Sequence, residues 1–161
     1  MMIREAKETD LPTMVEIYNV SRGGAFSTNT TPATVAGSTG WFRQHKAAGR
    51  PVLVAEEEGR VIGWLSIRPF YRRPAYDATA KVIVYVAPEA RGRGVGTELL
   101  SSAISRAPSA GVRALVCYLL SNNVPARRLF EDSGFQKWGE FPAVAKVGDK
   151  ERDLVVLGKR L

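Results

Sequence analysis

The stretch from residue 89 to residue 100, EARGRGVGTELL, holds the densest chemistry in the chain. Gly92, Gly94 and Gly96 alternate with Arg93 and Val95, Arg91 stands just before them, and an apolar run over residues 80–87 ends at Pro88. A helix-forming sequence follows. Strand, glycine turn and helix in this order point free backbone N–H groups at an anion, because the first N–H groups of a helix have no partner within it. Glycine lets the backbone come close to such a ligand and take φ > 0. Two phosphate-binding patterns do not fit. A Walker A loop needs a lysine after its last glycine, and here Thr97 follows Gly96 directly. A dinucleotide fingerprint needs Gly-x-Gly-x-x-Gly after the first strand of a βαβαβ unit, and this cluster has another spacing and lies in mid-chain.

The elements that must position this turn are legible from periodicity. Residues 3–7 read as a short strand. Thr9 and Pro12 suit a helix start, and Leu11, Met14, Val15, Ile17 and Tyr18 keep helical spacing until Arg22-Gly23-Gly24. Residues 25–32 read as a loop and 33–48 as a second helix. Residues 51–56 and 60–67 form a hairpin about Glu57-Glu58-Gly59. A proline- and aromatic-rich loop over 68–77 leads to a strand over 80–87, the glycine turn, and a helix over 95–107. Residues 111–120 give a strand and 123–133 a helix closed by Gly134. A last pair of strands, 135–147 and 152–159, flanks Gly148-Asp149. Hairpins make neighbours antiparallel, and the two late βαβ connections make others parallel. The expected fold is a mixed, mainly antiparallel α/β (α+β) sheet of about seven strands with about four helices, in one domain over 1–161.

Bulk composition narrows the class. The chain has 161 residues, 45% hydrophobic and 24% charged, with a formal net charge of +7. That length supports one sizeable core. No apolar run approaches the ~20 residues that cross a bilayer, and residues 1–7 lack a signal-peptide core. The one cysteine, Cys117, excludes an intrachain disulfide and lies in an apolar strand. A cytoplasmic protein without a membrane partner is expected. The basic residues form no single tract, and no RNA- or DNA-binding module is visible, so a nucleic-acid partner is not expected.

A third spacing fits the turn. Arg91-x-x-Gly94-x-Gly96 resembles the Arg/Gln-x-x-Gly-x-Gly/Ala signature of the GNAT superfamily of N-acetyltransferases. Residues 82–88, VIVYVAP, resemble the family's fourth strand. Asn123-x-x-Ala126-x-x-Leu129-Phe130-Glu131-x-x-Gly134-Phe135 resembles its downstream helix and turn, and the order of elements is the family's order. Within it, Ile3-Arg4-Glu5-Ala6 with Asp10, Phe26 before Pro32, and Pro69 with Ala75-Tyr76-Asp77 resemble the phosphinothricin-acetyltransferase-like group.

The resemblance implies acetyl-coenzyme A as acetyl donor, a small-molecule amine as acceptor, no metal, and a homodimer. It implies that main-chain amides of Arg91, Gly92, Arg93, Gly94, Val95, Gly96 and Thr97 hold the pyrophosphate. Val84 and Val86 would pair with the pantetheine arm by β-augmentation, the N–H near Val84 would polarise the thioester oxygen, and Asn123 would bond the arm. Asn122 or Asn123 equally suits the N-cap of that helix, and either arginine suits a solvated surface.

Acid–base residues depart from the family pattern. Phe130 stands where many members carry a Tyr that protonates the leaving thiolate. Lys81 stands where the phosphinothricin-type group carries a Glu. The sole histidine, His45, lies far upstream and is expected on a surface helix. Asp77, Tyr85, Tyr118 and Glu140 are the remaining catalytic candidates; Asp77 also suits a turn, and Tyr85 and Tyr118 also suit sheet packing. Phe26, Tyr76 and Lys81 are the candidate acceptor contacts. Lys81, with Arg72 and Arg73, points to an acceptor bearing a carboxylate, such as an amino acid or analogue. The expected activity is acetyl-coenzyme A-dependent N-acetylation of such an amine; the alternative is a non-catalytic acyl-coenzyme A-binding or sensing module.

Overall fold

The computed structural model describes residues 1–22 and 31–161. The expected end of the first helix at Gly23-Gly24, the loop residues 25–30 and the candidate Phe26 lie outside the described residues. Within them, seven strands and four α-helices run β1 (Met2–Glu5), α1 (Leu11–Arg22), α2 (Val35–Ala47), β2 (Val52–Glu57), β3 (Arg60–Pro69), β4 (Thr79–Val86), α3 (Val95–Arg106), β5 (Ala114–Leu120), α4 (Val124–Asp132), β6 (Gln136–Val147) and β7 (Lys150–Arg160). They form one sheet in the order β1-β2-β3-β4-β5-β7-β6. This is the expected mixed α/β fold.

Two local readings change. The turn before α1 is a 3₁₀ turn over Glu8–Asp10 with Lys7, not Thr9, as its N-cap residue, and the Asp10 side chain reaches back to it. The Asp10 carboxylate accepts from the Lys7 N–H at 2.7 Å and from Arg4 Nη1 at 2.8 Å. Arg4 also donates through Nε to Glu56 at 2.7 Å, which ties β1 to β2. The second change concerns pairing. Of the two βαβ connections, only β4-α3-β5 yields a parallel pair. β6 does run parallel to β5, but β7 folds back along it and takes the place beside β5, pairing over its whole length.

The sheet has two covered faces. Trp64 of β3 donates its indole N–H to the Met14 carbonyl at 3.0 Å, and Tyr85 of β4 meets Tyr18 edge-on at 5.4 Å, so α1 and α2 cover the face bearing Trp64, Ser66, Arg68, Lys81, Ile83 and Tyr85. Side chains alternate along a strand, so Leu65, Ile67 and Val82 point the other way, toward the face on which α3 lays its buried residues Val95, Leu99, Leu100 and Ala103. His45 corrects the sequence reading. It is buried in α2, tilted against Trp41 at a ring separation of 5.3 Å. Burial lowers its pKa to about 4, opposed by a hydrogen bond with the Ile67 backbone and aided to a lesser degree by the charges of Arg68 and Arg50. Cys117 is buried in β5 as expected, and burial pushes its thiol up to about 12.

Candidate active site

β4 and β5 begin as neighbours and then part. They pair only at Thr79↔Ala114, Ala80↔Leu115 and Lys81↔Val116. β5 then follows β7 for seven residues, from Ala114↔Arg160 to Leu120↔Leu154. The stronger ladder draws β5 away, and a wedge opens beside residues 82–86 with Lys81 at its closed end. On its other side β4 stays paired with β3. The Ala87 N–H bonds the Ile62 carbonyl. Backbone groups alternate sides along a strand, so the N–H and C=O groups of Val84 and Val86 face the wedge. Arg91 agrees: its Nε approaches the Val86 carbonyl oxygen at 3.4 Å. A strand with one bare edge offers its amides to an extended, amide-bearing arm.

The wedge opens onto the glycine turn. Gly92 has φ 73° and Gly94 φ 82°, values that L-residues with a Cβ adopt only at a cost. A Cβ at either position would meet nothing within 4 Å, so the turn faces open space. Gly94 is the N-cap of α3, and the first bond within the helix runs from the Glu98 N–H to the Gly94 carbonyl at 3.0 Å. The N–H groups of Val95, Gly96 and Thr97 are therefore the orphan donors of the first turn, at the positive end of the helix dipole. Gly96 has another reason to be glycine: its Cβ would lie 3.1 Å from Leu129 Cδ2 of α4.

The two arginines of the turn differ. Arg93 is spent on an ion pair, Nη2 to Glu57 Oε2 at 2.6 Å. Arg91 reaches back over the wedge mouth, with Nη2 3.5 Å from Ser21 Oγ of α1. On the opposite lip, Asn123 caps α4: its Oδ1 accepts from the Ala126 N–H at 3.2 Å. The capping reading holds, and it uses only the oxygen of the amide. The neighbouring Asn122, the other candidate for that cap, is not the N-cap residue. Its Oδ1 is buried without a partner among the described residues, which a bound amide N–H would satisfy. An extended arm with a pyrophosphate end, as in acetyl-coenzyme A, fits this wedge and turn.

The α1/α2 face at the closed end carries the remaining candidates. Tyr85 lies 4.8 Å from Trp64, ring to ring, and burial raises its pKa. Lys81 stands over the Tyr118 ring at 5.7 Å. Burial and then Arg68 lower its pKa. Arg68, which sequence reasoning placed in a loop, is a β3 residue directly opposite Lys81. It lies over the Trp41 ring at 4.9 Å, with its Nε on Ser66 Oγ at 3.0 Å. The signal that could have found it is a charge two residues beyond a buried Ser on the same strand face. Asp77 is exposed and precedes β4; Arg50 holds its carbonyl at 3.1 Å, and no hydrogen bond links its carboxylate to Lys81 or Tyr85. Tyr76 is exposed and clusters with Phe70 and Tyr71 at 5.7 Å each. Phe130 is buried against Phe135 at 5.0 Å, with no hydroxyl to offer.

A separate cavity of about 310 Å³, lined by Glu5, Lys46, Arg50, Arg106 and Ser109 among others, lies away from the wedge. It sits where α2 and the 3₁₀ turn after α3 end, and cations there complement the helix C-terminal carbonyls.

Comparison with known proteins places these features in context. Residues 11–135 match the model of the Acetyltransferase (GNAT) family. The YwnH protein of Bacillus subtilis is 41% identical over 100% of this chain and 99% of its own. The L-methionine sulfoximine/L-methionine sulfone acetyltransferase of Pseudomonas aeruginosa is 32% identical over 96% of this chain and 91% of its own. The crystal structure of a phosphinothricin acetyltransferase from Sinorhizobium meliloti in complex with acetyl-coenzyme A superposes with a TM-score of 0.95, at 29% identity, over 99% of this chain and 88% of that one.

Proposed function

Since the chain belongs to the GNAT acetyltransferase family, we propose that it transfers the acetyl group of acetyl-coenzyme A to the primary amine of a small amino acid or amino-acid analogue. The observation that carries this reading is the wedge between β4 and β5 that opens onto the glycine turn. The names of the relatives supply the acceptor class: methionine sulfoximine and phosphinothricin are amino-acid analogues.

Acetyl-coenzyme A supplies an acyl group already activated as a thioester. The residues of the chain hold the cofactor, stabilise the oxyanion, move two protons and contact the acceptor. The N–H groups of residues 91–97 bind the pyrophosphate, with Arg91 adding charge. The Val84 and Val86 backbones and Asn123 Nδ2 hold the arm in register. The Val84 N–H stabilises negative charge on the carbonyl oxygen, a role worth roughly 3–4 kcal/mol per donor where measured. Tyr85, kept protonated by burial, serves as proton donor to the departing sulfur, because Phe130 cannot. Asp77 takes the proton of the acceptor amine, by way of water, from its exposed position before β4. Lys81 and Tyr76 contact the acceptor, Lys81 through a carboxylate. No metal is needed, since the thioester needs no further activation.

Among the described residues no helix is long and apolar enough to cross a membrane. A cytoplasmic location and a homodimer belong to this proposal. The exposed Trp138, Phe141 and Val144 of β6 support the dimer, and light scattering tests it.

The deciding experiment is thiol release from acetyl-coenzyme A with a panel of amino acids and analogues, beside calorimetric titration of the cofactor. Turnover with α-amino acids, lost in Gly94→Glu, is the expected result. Tight binding without turnover of any amine would favour a sensing module. No binding would overturn the cofactor assignment.

A further inference from the structure

Arg68 and Lys81 sit directly opposite each other on β3 and β4, on the face that carries Trp64 and Tyr85. Like charges at opposed positions, with Cα atoms about 5 Å apart, destabilise a sheet. Buried or half-buried charges are normally paired. Here the described contacts of both are aromatic rings, a hydroxyl and each other. Arg68 rests on Trp41 and Ser66 Oγ, and Lys81 on Tyr118. No ion pair of either residue with a carboxylate is found among the described residues, although eight ion pairs occur elsewhere in the fold. A local conflict that the fold keeps points to a site rather than to packing.

The place of the conflict is informative. Lys81 is the last β4 residue paired with β5, so the two cations flank the closed end of the wedge. They lie five residues, about 17 Å at strand spacing, from Val86 and the glycine turn beyond it. The pyrophosphate therefore cannot neutralise them. The anion that does must come with the acceptor.

Charge balance sets the class. An amine attacks in its neutral form, so an α-amino acid in its reactive state brings one negative charge, on its carboxylate. Two cations call for two. We propose that Arg68 and Lys81 form a receptor for a dianionic acceptor, an α-amino acid whose side chain ends in a second carboxylate. This rests on the acetyltransferase reading above for the identity of the acceptor as substrate, but the receptor itself is testable without turnover.

The test is calorimetric titration, with coenzyme A present, of N-acetyl-L-glutamate and N-acetyl-L-aspartate against their amide counterparts, N-acetyl-L-glutamine and N-acetyl-L-asparagine. Proteins are the wild type, Arg68→Met, Lys81→Met and the remote surface control Lys150→Gln, with folding of each checked by circular dichroism. At least one acid should bind about tenfold tighter than its amide. The preference should vanish in both Met variants and survive in Lys150→Gln. Equal binding of acid and amide, no binding of any of the four, or a preference that persists without Arg68 and Lys81 overturns the inference. Thiol release with the free amino acids separates the two readings. Acid-selective binding with no turnover sinks the proposed function and leaves the receptor standing. Turnover of neutral amino acids with no acid preference in binding does the reverse.

Discussion

Gly96 and Leu129 stand so close that a Cβ on the glycine would lie 3.1 Å from Leu129 Cδ2. The first turn of α3 thus packs directly on α4, and the two lips of the wedge are held together there. Gly94, two residues earlier, faces open space but has φ 82°. The two glycines answer to different demands, so their alanine variants should differ in kind.

Gly96→Ala gains helix propensity of ~1 kcal/mol and loses a similar amount to overpacking. Its thermal midpoint should change little, and its affinity for acetyl-coenzyme A only modestly. Gly94→Ala costs roughly 1–2 kcal/mol in backbone strain and places a methyl group before the orphan N–H donors. It should weaken acetyl-coenzyme A binding at least tenfold. Calorimetry and thermal melts on both variants check the contrast; equal losses of affinity would show that the turn is not the phosphate cradle.

Asn123 has a capping oxygen and an amide NH₂ that faces a different task. Asn123→Asp keeps the acceptor for the Ala126 N–H, so stability should hold. Asn123→Ala should lose ~1 kcal/mol of stability with the cap. If Nδ2 binds the pantetheine arm, both variants should raise the KM for acetyl-coenzyme A several-fold. An unchanged KM in Asn123→Asp would reduce Asn123 to a cap.

His45 should make the fold acid-sensitive. Its folded pKa is lowered to about 4, burial being the main cause, from the ordinary 6.5. Between these values the unfolded chain binds the extra proton, so stability falls as pH drops from 6.5 toward 4. The full effect is on the order of 3 kcal/mol. Denaturant melts of wild type and His45→Gln at pH 7 and pH 5 should show the wild type losing more of its stability. Parallel losses would rule His45 out as the sensor.

Lys81 should cost stability in the protein without ligands. Its amine is held below the ordinary lysine range by burial and then by Arg68, so folding disfavours its charged form. Lys81→Met removes that cost and should raise Tm by a few degrees at pH 7, since replacing a desolvated charge by an apolar group of similar length is often stabilising. As pH rises through the lowered folded pKa the wild type gains stability, and the difference should shrink. A lower Tm for Lys81→Met at pH 7 would mean that the cation has a partner.

The chain's own order of residues determined much of this protein. The glycine turn, its position between an apolar strand and a helix, and the Asn123 to Phe135 motif were sufficient for the fold class and for proposing a cofactor cradle, because φ preference, periodicity and free helix amides are local properties. Arg4 and Asp10 were legible as part of the same resemblance, but their work is structural: Asp10 holds the Lys7 N–H at the turn before α1, and Arg4 ties Asp10 to Glu56 and so β1 to β2. What crosses strands was decided only in three dimensions. The wedge exists because β7, last in the chain, pairs along all of β5 and leaves β4 three partners. His45 is buried because Trp41 and the sheet close over it. Arg68 meets Lys81 because a hairpin register, thirteen residues of separation apart in sequence, sets them face to face. Register is a sum over many weak cross-strand contacts, and no single residue announces it.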